Sequence, residues 1–395
     1  MIEKLFCANQ ELNEEVVNTV LQKQYQFNDS EESLGRFAEI VVKLATHQQT
    51  ANPQIAKPWV SIFAADHGVA VEGVSDFSQE MTAQWSESIC KGKAAINGLA
   101  QYSKLDIEVI DVGLASDIPD HAVLEVAKVG QATQNFLKQP AMTQEQMLQA
   151  MEVGIAAVER AKDSGVDLFI AGDLGVANTA SAIAMVSVLS GKAPIELMAM
   201  GRSRVLRSER DKAELIERAI ELHKEHLTSP LRIMQHLGGF ETAALCGAYI
   251  RAAQLGMTIV VDGFMSTVAA WLADLVSRND QLLHCKSVDM MMDLGQFSVP
   301  ETLFCICGTC PRLVEWCFFS HQSSVNVHEW VLEILAVDPL LKFEIKTGQA
   351  FGAAMVVPLI QQACFVHSYL VKFDSEEEES SKRGYELHDQ PPFIH

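Results

Sequence analysis

Short apolar runs that alternate with longer stretches of helical periodicity constrain the fold of this chain more than any other feature. The runs cover residues 59–65, 107–113, 166–172, 197–201 and 257–263. Each is rich in β-branched or other apolar side chains and ends in small or acidic residues, which is typical of strands buried on both faces of a parallel sheet. The sequence therefore predicts a parallel strand at each run.

The stretches between these runs show the spacing of amphipathic helices. They cover residues 83–101, 143–164, 179–189, 209–226 and 240–255. Strands that alternate with helices favour right-handed βαβ crossovers. We therefore predict an α/β fold with a doubly wound, mainly parallel, Rossmann-like sheet.

The two ends of the chain lack this alternation. Residues 1–50 are helical in pattern without an obvious strand, and residues 327–373 resemble two helices. We expect these ends to form a small helical subdomain, with residues 51–326 as the α/β domain and a Cys- and Met-rich insertion at about 277–311. The polar segment 374–395, with its acidic run 376–379, is predicted to be a disordered tail.

Charge and composition limit the classes of molecule that this chain is expected to bind. The formal net charge of -21 opposes binding to nucleic acid or to an anionic membrane surface, so a small-molecule partner is favoured. The N-terminus has no apolar export signal, and no stretch of 18 uncharged apolar residues was found, which predicts a cytoplasmic protein without a membrane span. The 9 cysteines are expected to be reduced thiols.

Ligands of open α/β sheets bind beyond the carboxyl ends of the strands, so the loops that follow the predicted strands are candidate sites. Asp66 and His67 follow the first strand and are able to hold a substrate, although a tight surface turn with a solvated His fits equally well. Gly175, Asn178 and Thr179 follow the third strand, where free amides at a helix start bind phosphate, although such a turn is also ordinary topology.

Two further glycine-containing loops carry weaker signals. Gly238-Gly239 precedes a helix whose first turn holds Glu241, which fits capping of the helix dipole. Gly348 and Gly352 flank Gln349 before an apolar helix, which indicates closely packed backbone.

These loops are part of a series of short sequence motifs that follow one another along the chain. The motifs are Asp66-His67-Gly68-Val69, Glu72-Gly73-Val74-Ser75, Gln79-Glu80-Met81-Thr82, Asp111-Val112-Gly113, the loop from Gly172 to Thr179, Gly238-Gly239 and Val261-Asp262-Gly263-Phe264. In this order, from about residue 59 to residue 363, the sequence resembles the nicotinate-nucleotide:dimethylbenzimidazole phosphoribosyltransferases.

The resemblance implies a reaction. A benzimidazole nitrogen would attack C1′ of nicotinate mononucleotide, release nicotinate and give α-ribazole 5′-phosphate with inversion, as a step in cobalamin biosynthesis. Positive charge builds at C1′, so a proton acceptor and nearby oxygens are needed. The resemblance implies no metal and no cofactor, and it suggests a homodimer.

The resemblance also implies roles for particular residues. Gly175, Asn178, Thr179 and Lys212 would hold the phosphate and ribose of the nucleotide. The pocket for the aromatic base would be lined by Ser75, Phe77 and Gln84. Further substrate-binding candidates are Asp66, His67 and Asp262.

The sequence departs from the family pattern at the residues that matter for proton transfer. Gln349 stands where the family has its proposed general base, a Glu, and a neutral amide cannot take up the proton. Asp173 replaces another family Glu, and Val325 replaces a third. The family's Gly-Thr-Gly is replaced by Gly201-Arg202-Ser203-Arg204.

Three interpretations fit these departures. Asp173 or Glu344 acts as the base, the incoming base differs or needs little help with its proton, or the chain is a degenerate paralogue that binds ligand without turnover. We expect activity, because a nitrogen nucleophile can lose its proton late to water.

Two other functions are disfavoured. No Gly-x-Gly-x-x-Gly follows a strand, which argues against a nicotinamide-dependent dehydrogenase. Cys305, Cys307 and Cys310, with Cys285 and His284, have part of a zinc-ligand spacing but lack a second Cys-x-x-Cys pair. We therefore expect free thiols there and no metal site.

Overall fold

The computed structural model describes residue 9 and residues 14–27, 34–201, 206–278 and 312–382. It divides into two compact units. The larger unit contains the described residues of Met1–Leu12 and Ala56–Val357, and the smaller unit contains those of Asn13–Ile55 and Pro358–His395.

The larger unit is built on parallel strands. They are β1 (Pro58–Ala65), β2 (Asp106–Gly113), β3 (Leu124–Val126), β4 (Leu168–Leu174), β5 (Thr258–Val261), β6 (Cys317–Phe319), β7 (His321–Ser323) and β8 (Leu341–Ile345). The first six form one sheet in the order β3-β2-β1-β4-β5-β6, and every neighbouring pair in it is parallel. The predicted α/β class is confirmed.

Helices flank this sheet and also form the smaller unit. In chain order they are α1 (Glu14–Phe27), α2 (Arg36–Gln48), α3 (Glu80–Cys90), α4 (Ala95–Ser103), α5 (Gln144–Asp163), α6 (Asn178–Ser190), α7 (Pro194–Ala199), α8 (Arg207–His223), α9 (Pro230–Leu237), α10 (Phe240–Gln254), α11 (Phe264–Ser277), α12 (Val327–Leu335) and α13 (Phe351–Lys382). Short 3₁₀ segments cover Gly68–Glu72, Lys224–His226 and Leu313–Trp316.

Local sequence explains where the long helices begin. Thr143 precedes α5, its hydroxyl accepts a hydrogen bond from Gln146 N at 3.2 Å, and the Gln146 side chain accepts one from Thr143 N at 3.0 Å. This reciprocal capping satisfies backbone donors that the first turn leaves without partners. Helix α5 packs closely on α10, because a Cβ at Gly154 would lie only 1.8 Å from Ala244 O.

One predicted strand is wrong. Residues 197–201 were expected to continue the sheet, but Leu197 lies in the short helix α7. Pro194 occupies the start of that helix, where its missing N–H costs nothing and its fixed φ favours helical backbone. Leu197 is buried in this helical turn, whereas Met198, Ala199 and Met200 are half-buried.

The domain boundary also differs from the prediction. Residues 327–357 belong to the larger unit, because β7 and β8 pair there and α12 packs against α11. Strand β8 lies where two adjoining helices were expected. Its pairing with β7 is a long-range contact, which the local pattern does not reveal.

The smaller unit is helical, as its described residues show. Gln361 Nε2 donates a hydrogen bond to Ile55 O at 3.3 Å, and a ring nitrogen of His367 lies 2.9 Å from Ala51 O. Helix α13 extends to Lys382 and so enters the segment predicted to be a tail, and the disorder of that segment stays a prediction. Residues 383–395 lie outside the described residues.

Within the described residues, one helical segment, Phe351–Leu370, is long and apolar enough to cross a membrane. Of its most apolar stretch, 44% is buried inside the protein. A core helix passes the same test. The described cysteines, Cys90, Cys246, Cys317 and Cys364, are buried, and none of these four forms a disulfide bond. Those of the predicted insertion lie outside the described residues.

Candidate functional site

A cavity of about 510 Å³ opens at the carboxyl ends of β4 and β5. It lies on the side of the sheet where ligands of this fold class bind. The predicted site residues that line it are Ser75, Phe77, Asp173, Gly175, Asn178, Thr179, Asp262 and Gln349. These residues are far apart in sequence, and the parallel sheet brings them to one place.

Asp173, the second-last residue of β4, is the central acid of this cavity. Its Oδ1 accepts a hydrogen bond from Ser266 Oγ on α11, and its Oδ2 accepts one from Asn178 Nδ2 on α6, both at 3.0 Å. Burial, aided by the nearby acids Asp262 and Glu241, raises the pKa of Asp173 to about 7, although the two hydrogen bonds act to lower it. Asp173 is thus able to exchange a proton near neutral pH.

The loop after β4 leads directly into α6. A Cβ at Gly175 would lie 2.5 Å from Ala65 O, so only glycine allows the loop to pass this close to β1. Thr82 Oγ1 accepts a hydrogen bond from Val176 N at 3.1 Å and anchors the loop. The first turn of α6, with Asn178 and Thr179, faces the cavity, and backbone donors at a helix start suit an anionic ligand.

Asp262 and His321 form the wall beside Asp173. Asp262 follows β5, and its Oδ1 accepts a hydrogen bond from Ala353 N in the first turn of α13 at 2.8 Å. His321 Nδ1 lies 4.0 Å from the same oxygen and 2.9 Å from Ser320 Oγ. Burial raises the pKa of Asp262 and lowers that of His321, so it favours the neutral form of each.

The segment from Ile345 to Gln349 closes another side of the cavity. Gln349 and Ala350 both have left-handed backbone, with φ of 64° and 60°. Gln349 N donates to Asp173 O at 3.3 Å, and a Cβ at Gly172 would lie 2.7 Å from Ala350 Cβ. The backbone of Gln349 is therefore held at the cavity. Its side-chain amide has no titratable proton.

An aromatic pair lines the mouth. The rings of Phe77 and Trp85 meet edge to face, with centroids 5.2 Å apart, beside Ser75. This arrangement provides an apolar surface for a flat ring. Gln84, predicted to join this pocket, is exposed on α3 and does not line the cavity.

Asp66 and His67 are buried instead of exposed to a substrate. His67 Nε2 lies 2.9 Å from Glu241 Oε1, and both side chains are fully buried. Burial acts to lower the pKa of His67, but the surrounding carboxylates, Glu241 first, outweigh it and raise the pKa. Asp66 Oδ2 accepts from Ala115 N at 2.9 Å, and burial raises the pKa of Asp66. Neither residue lines the cavity.

Two further predicted residues also lie outside the lining. Lys212 is half-buried on α8, where burial lowers its pKa and the nearby Asp76 acts to raise it. Glu344 is exposed on β8 with a φ of 49°. The structure therefore does not bring Glu344 to the cavity as a proton acceptor.

Sequence reasoning missed several residues of this region. Glu241 was interpreted only as a cap of the helix dipole, whereas it forms the buried pair with His67. Trp85 and His321 line the cavity but were not proposed. Trp85 lies on α3 and Phe77 precedes that helix, so no helical spacing linked the two residues, and His321 follows a short strand that was not predicted.

Comparisons with known proteins agree with this geometry. A family model described as Phosphoribosyltransferase matches residues 9–286 and 281–377. The chain belongs to this phosphoribosyltransferase family. The nicotinate-nucleotide–dimethylbenzimidazole phosphoribosyltransferase of Azotobacter vinelandii is 36% identical over 353 residues, covering 89% of this chain and 91% of that protein. The Ectopseudomonas mendocina enzyme of the same name is 36% identical over 351 residues.

A solved structure of the family has the same fold. The enzyme of that name from Thermus thermophilus superimposes with a TM-score of 0.75 and is 30% identical, covering 90% of this chain and 96% of that chain. The predicted resemblance to this family is confirmed.

Proposed function

We propose that the protein transfers the phosphoribosyl group of nicotinate mononucleotide to 5,6-dimethylbenzimidazole or a related aromatic base. The products are nicotinate and α-ribazole 5′-phosphate, the nucleotide of the cobalamin lower ligand. The proposal is supported by family membership and by one structural observation above all. Asp173, a buried carboxyl group held by hydrogen bonds from Ser266 and Asn178, lines the cavity together with the start of α6.

The chemistry follows from the groups around the cavity. A ring nitrogen of the acceptor attacks C1′ with its lone pair, and the bond from C1′ to the pyridine nitrogen breaks with its electrons passing to nicotinate. Positive charge on the sugar in the transition state is stabilised by carboxylate oxygen nearby. The N–H proton of the acceptor passes to Asp173, which replaces Gln349 and Glu344 as the proton acceptor in this account.

The substrates are assigned to opposite parts of the cavity. The phosphate is placed at Gly175, Asn178 and Thr179, where the start of α6 supplies N–H donors. The aromatic acceptor is placed against Ser75, Phe77 and Trp85. This arrangement leaves Asp173 and Asp262 beside the sugar.

An activity assay of the wild type and Gln349→Glu tests the proposal. Both proteins are incubated with nicotinate mononucleotide and dimethylbenzimidazole, and nicotinate release is measured. We expect turnover by the wild type, and faster turnover by the variant because it gains a second proton acceptor at the cavity. Binding without turnover in either form would instead favour a degenerate paralogue.

The cellular setting belongs to the same proposal. We place the protein in the cytoplasm as a homodimer that binds small molecules and neither membrane nor nucleic acid. Helix α13 contains an apolar segment of the length that spans a membrane. Its residues Gln361 and His367 contact backbone oxygens of the smaller unit, which supports packing of this helix within the protein. The formal net charge of -21 disfavours anionic surfaces.

A further inference from the structure

Among the described residues that line the cavity, Lys346 is the one Lys or Arg. The same lining contains the carboxyl groups of Asp173 and Asp262, and burial favours the neutral form of His321. Nicotinate mononucleotide carries two anionic groups, a phosphate and a pyridine carboxylate. An anion that enters this cavity therefore needs positive charge beyond that of the helix starts.

We propose that Lys346 binds an anionic group of the donor nucleotide, either its phosphate or its pyridine carboxylate. This inference rests on the proposed function, because it takes nicotinate mononucleotide as the ligand. The two candidate groups share the same chemistry, since a Lys ammonium forms charge-assisted hydrogen bonds with a phosphate or with a carboxylate.

A bulge in β8 explains how this lysine reaches the cavity. His321 and Gln322 of β7 pair with Leu341 and Lys342, but Ser323 pairs with Ile345, so the register shifts within β8. Extra residues of this kind redirect the side chains that follow them. Ile345 and Lys346 therefore line the cavity, whereas Glu344, inside the bulge, does not.

The backbone on both sides of Lys346 is fixed. Ile345 O accepts a hydrogen bond from Ser324 N at 3.1 Å, and Gln349 N donates to Asp173 O at 3.3 Å. These bonds hold the segment next to Asp173. The base of the lysine side chain is thus positioned before a ligand arrives, which reduces the entropy lost on binding.

The ammonium group is available in the part of the chain that the structure describes. No described ion pair or hydrogen bond engages the Lys346 side chain. By contrast, Lys342, which lies in β8 four residues before Lys346, has its Nζ 3.7 Å from Glu329 Oε1, and neither of these groups lines the cavity. Lys342 is therefore a matched control for the loss of one lysine charge.

Direct binding of nicotinate mononucleotide, measured by calorimetry without the acceptor, tests this inference separately from turnover. Lys346→Ala is expected to weaken binding by roughly 10- to 100-fold, the range of a lost charge-assisted hydrogen bond. Lys342→Ala is expected to bind within about twofold of the wild type, because a surface pair contributes little. Lys346→Arg, which keeps the charge, is expected to recover most of the affinity.

Two analogues identify the group that the lysine binds. Nicotinamide mononucleotide lacks the carboxylate, and nicotinate riboside lacks the phosphate. If the effect of Lys346→Ala disappears with the first, the carboxylate is the partner; if it disappears with the second, the phosphate is. Either result supports the inference.

Three results would overturn it. One is binding by Lys346→Ala within about twofold of the wild type, with an unchanged melting temperature. Another is a loss of affinity that Lys346→Arg fails to restore in a folded protein. Wild-type protein that binds no nicotinate mononucleotide would overturn both this inference and the proposed function, whereas binding with normal affinity by Lys346→Ala in an active protein would remove this inference alone.

Discussion

At the scale of single residues, the position of Asp173 among other acids determines its chemistry. The side chain is largely buried, and the nearby Asp262 and Glu241 make its ionised form less favourable. Hydrogen bonds from Ser266 and Asn178 keep the Asp173 carboxylate oriented at the cavity. A proton acceptor works best when its pKa lies near the working pH.

This placement predicts the pH dependence of the reaction. Because the pKa of Asp173 is raised to about 7, the carboxylate that accepts the proton is lost as pH falls through that value. We expect kcat/KM of the wild type to fall about tenfold per pH unit below pH 7. Asp173→Asn should lower kcat/KM by roughly 10²-fold or more and remove this acidic limb.

Asp167 provides the control for that experiment. It precedes β4 at the opposite end from Asp173, and its carboxylate accepts hydrogen bonds from Ala56 N at 2.6 Å and Lys57 N at 3.0 Å. Asp167→Asn should therefore leave the acidic limb in place. A limb that persists in Asp173→Asn would assign the titration to another group.

At the scale of elements, the contact between β4 and the start of α13 controls the shape of the cavity. Gly172→Ala would place a new Cβ 2.7 Å from Ala350 Cβ and push the segment that carries Gln349. We expect a loss of roughly 1–3 kcal/mol in the free energy of unfolding and lower turnover. Urea unfolding and steady-state rates measure the two effects.

A compensating change tests this contact. Ala350→Gly removes the opposing methyl group and relaxes a residue with left-handed backbone, which costs an L side chain roughly 1–2 kcal/mol. The double variant should therefore be more stable than Gly172→Ala alone. A stability change in the double variant that equals the sum of the two single changes would show that the two positions do not interact.

The packing of α5 on α10 makes a second prediction at this scale. Gly154→Ala would place a methyl group 1.8 Å from Ala244 O, so the two helix backbones must separate. We expect a loss of about 3 kcal/mol in the free energy of unfolding. Gly98→Ala in α4 meets no atom within 4 Å and should be neutral or up to about 1 kcal/mol stabilising. Similar results for the two variants would refute the packing explanation.

At the scale of the whole molecule, most of the architecture could be predicted from the sequence, because the alternation of strand and helix periodicity is a local signal. Strands β1, β2, β4 and β5 lie where apolar runs predicted them, and the sheet is parallel. The pairing of β7 with β8 joins residues that are distant in sequence, so no local pattern revealed it. The short helix α7 shows that an apolar run next to a proline fits a helix as well as a strand.

The candidate site could also be predicted in part from the sequence. Strand-end residues such as Asp173 and Asp262 line the cavity because parallel strands end at the same edge of a sheet. Burial is what the sequence did not show. His67 had the chemistry of a substrate ligand, yet its pairing with Glu241 places it beneath the site. The role of each lining residue stays a prediction.

The most direct test of phosphoribosyl transfer is the identity of the products. Purified wild-type protein is incubated with nicotinate mononucleotide and dimethylbenzimidazole, and the products are identified by mass spectrometry and by NMR of the anomeric proton. We predict equal amounts of nicotinate and α-ribazole 5′-phosphate. Release of nicotinate with free ribose 5-phosphate, or no release of nicotinate at all, would contradict the account.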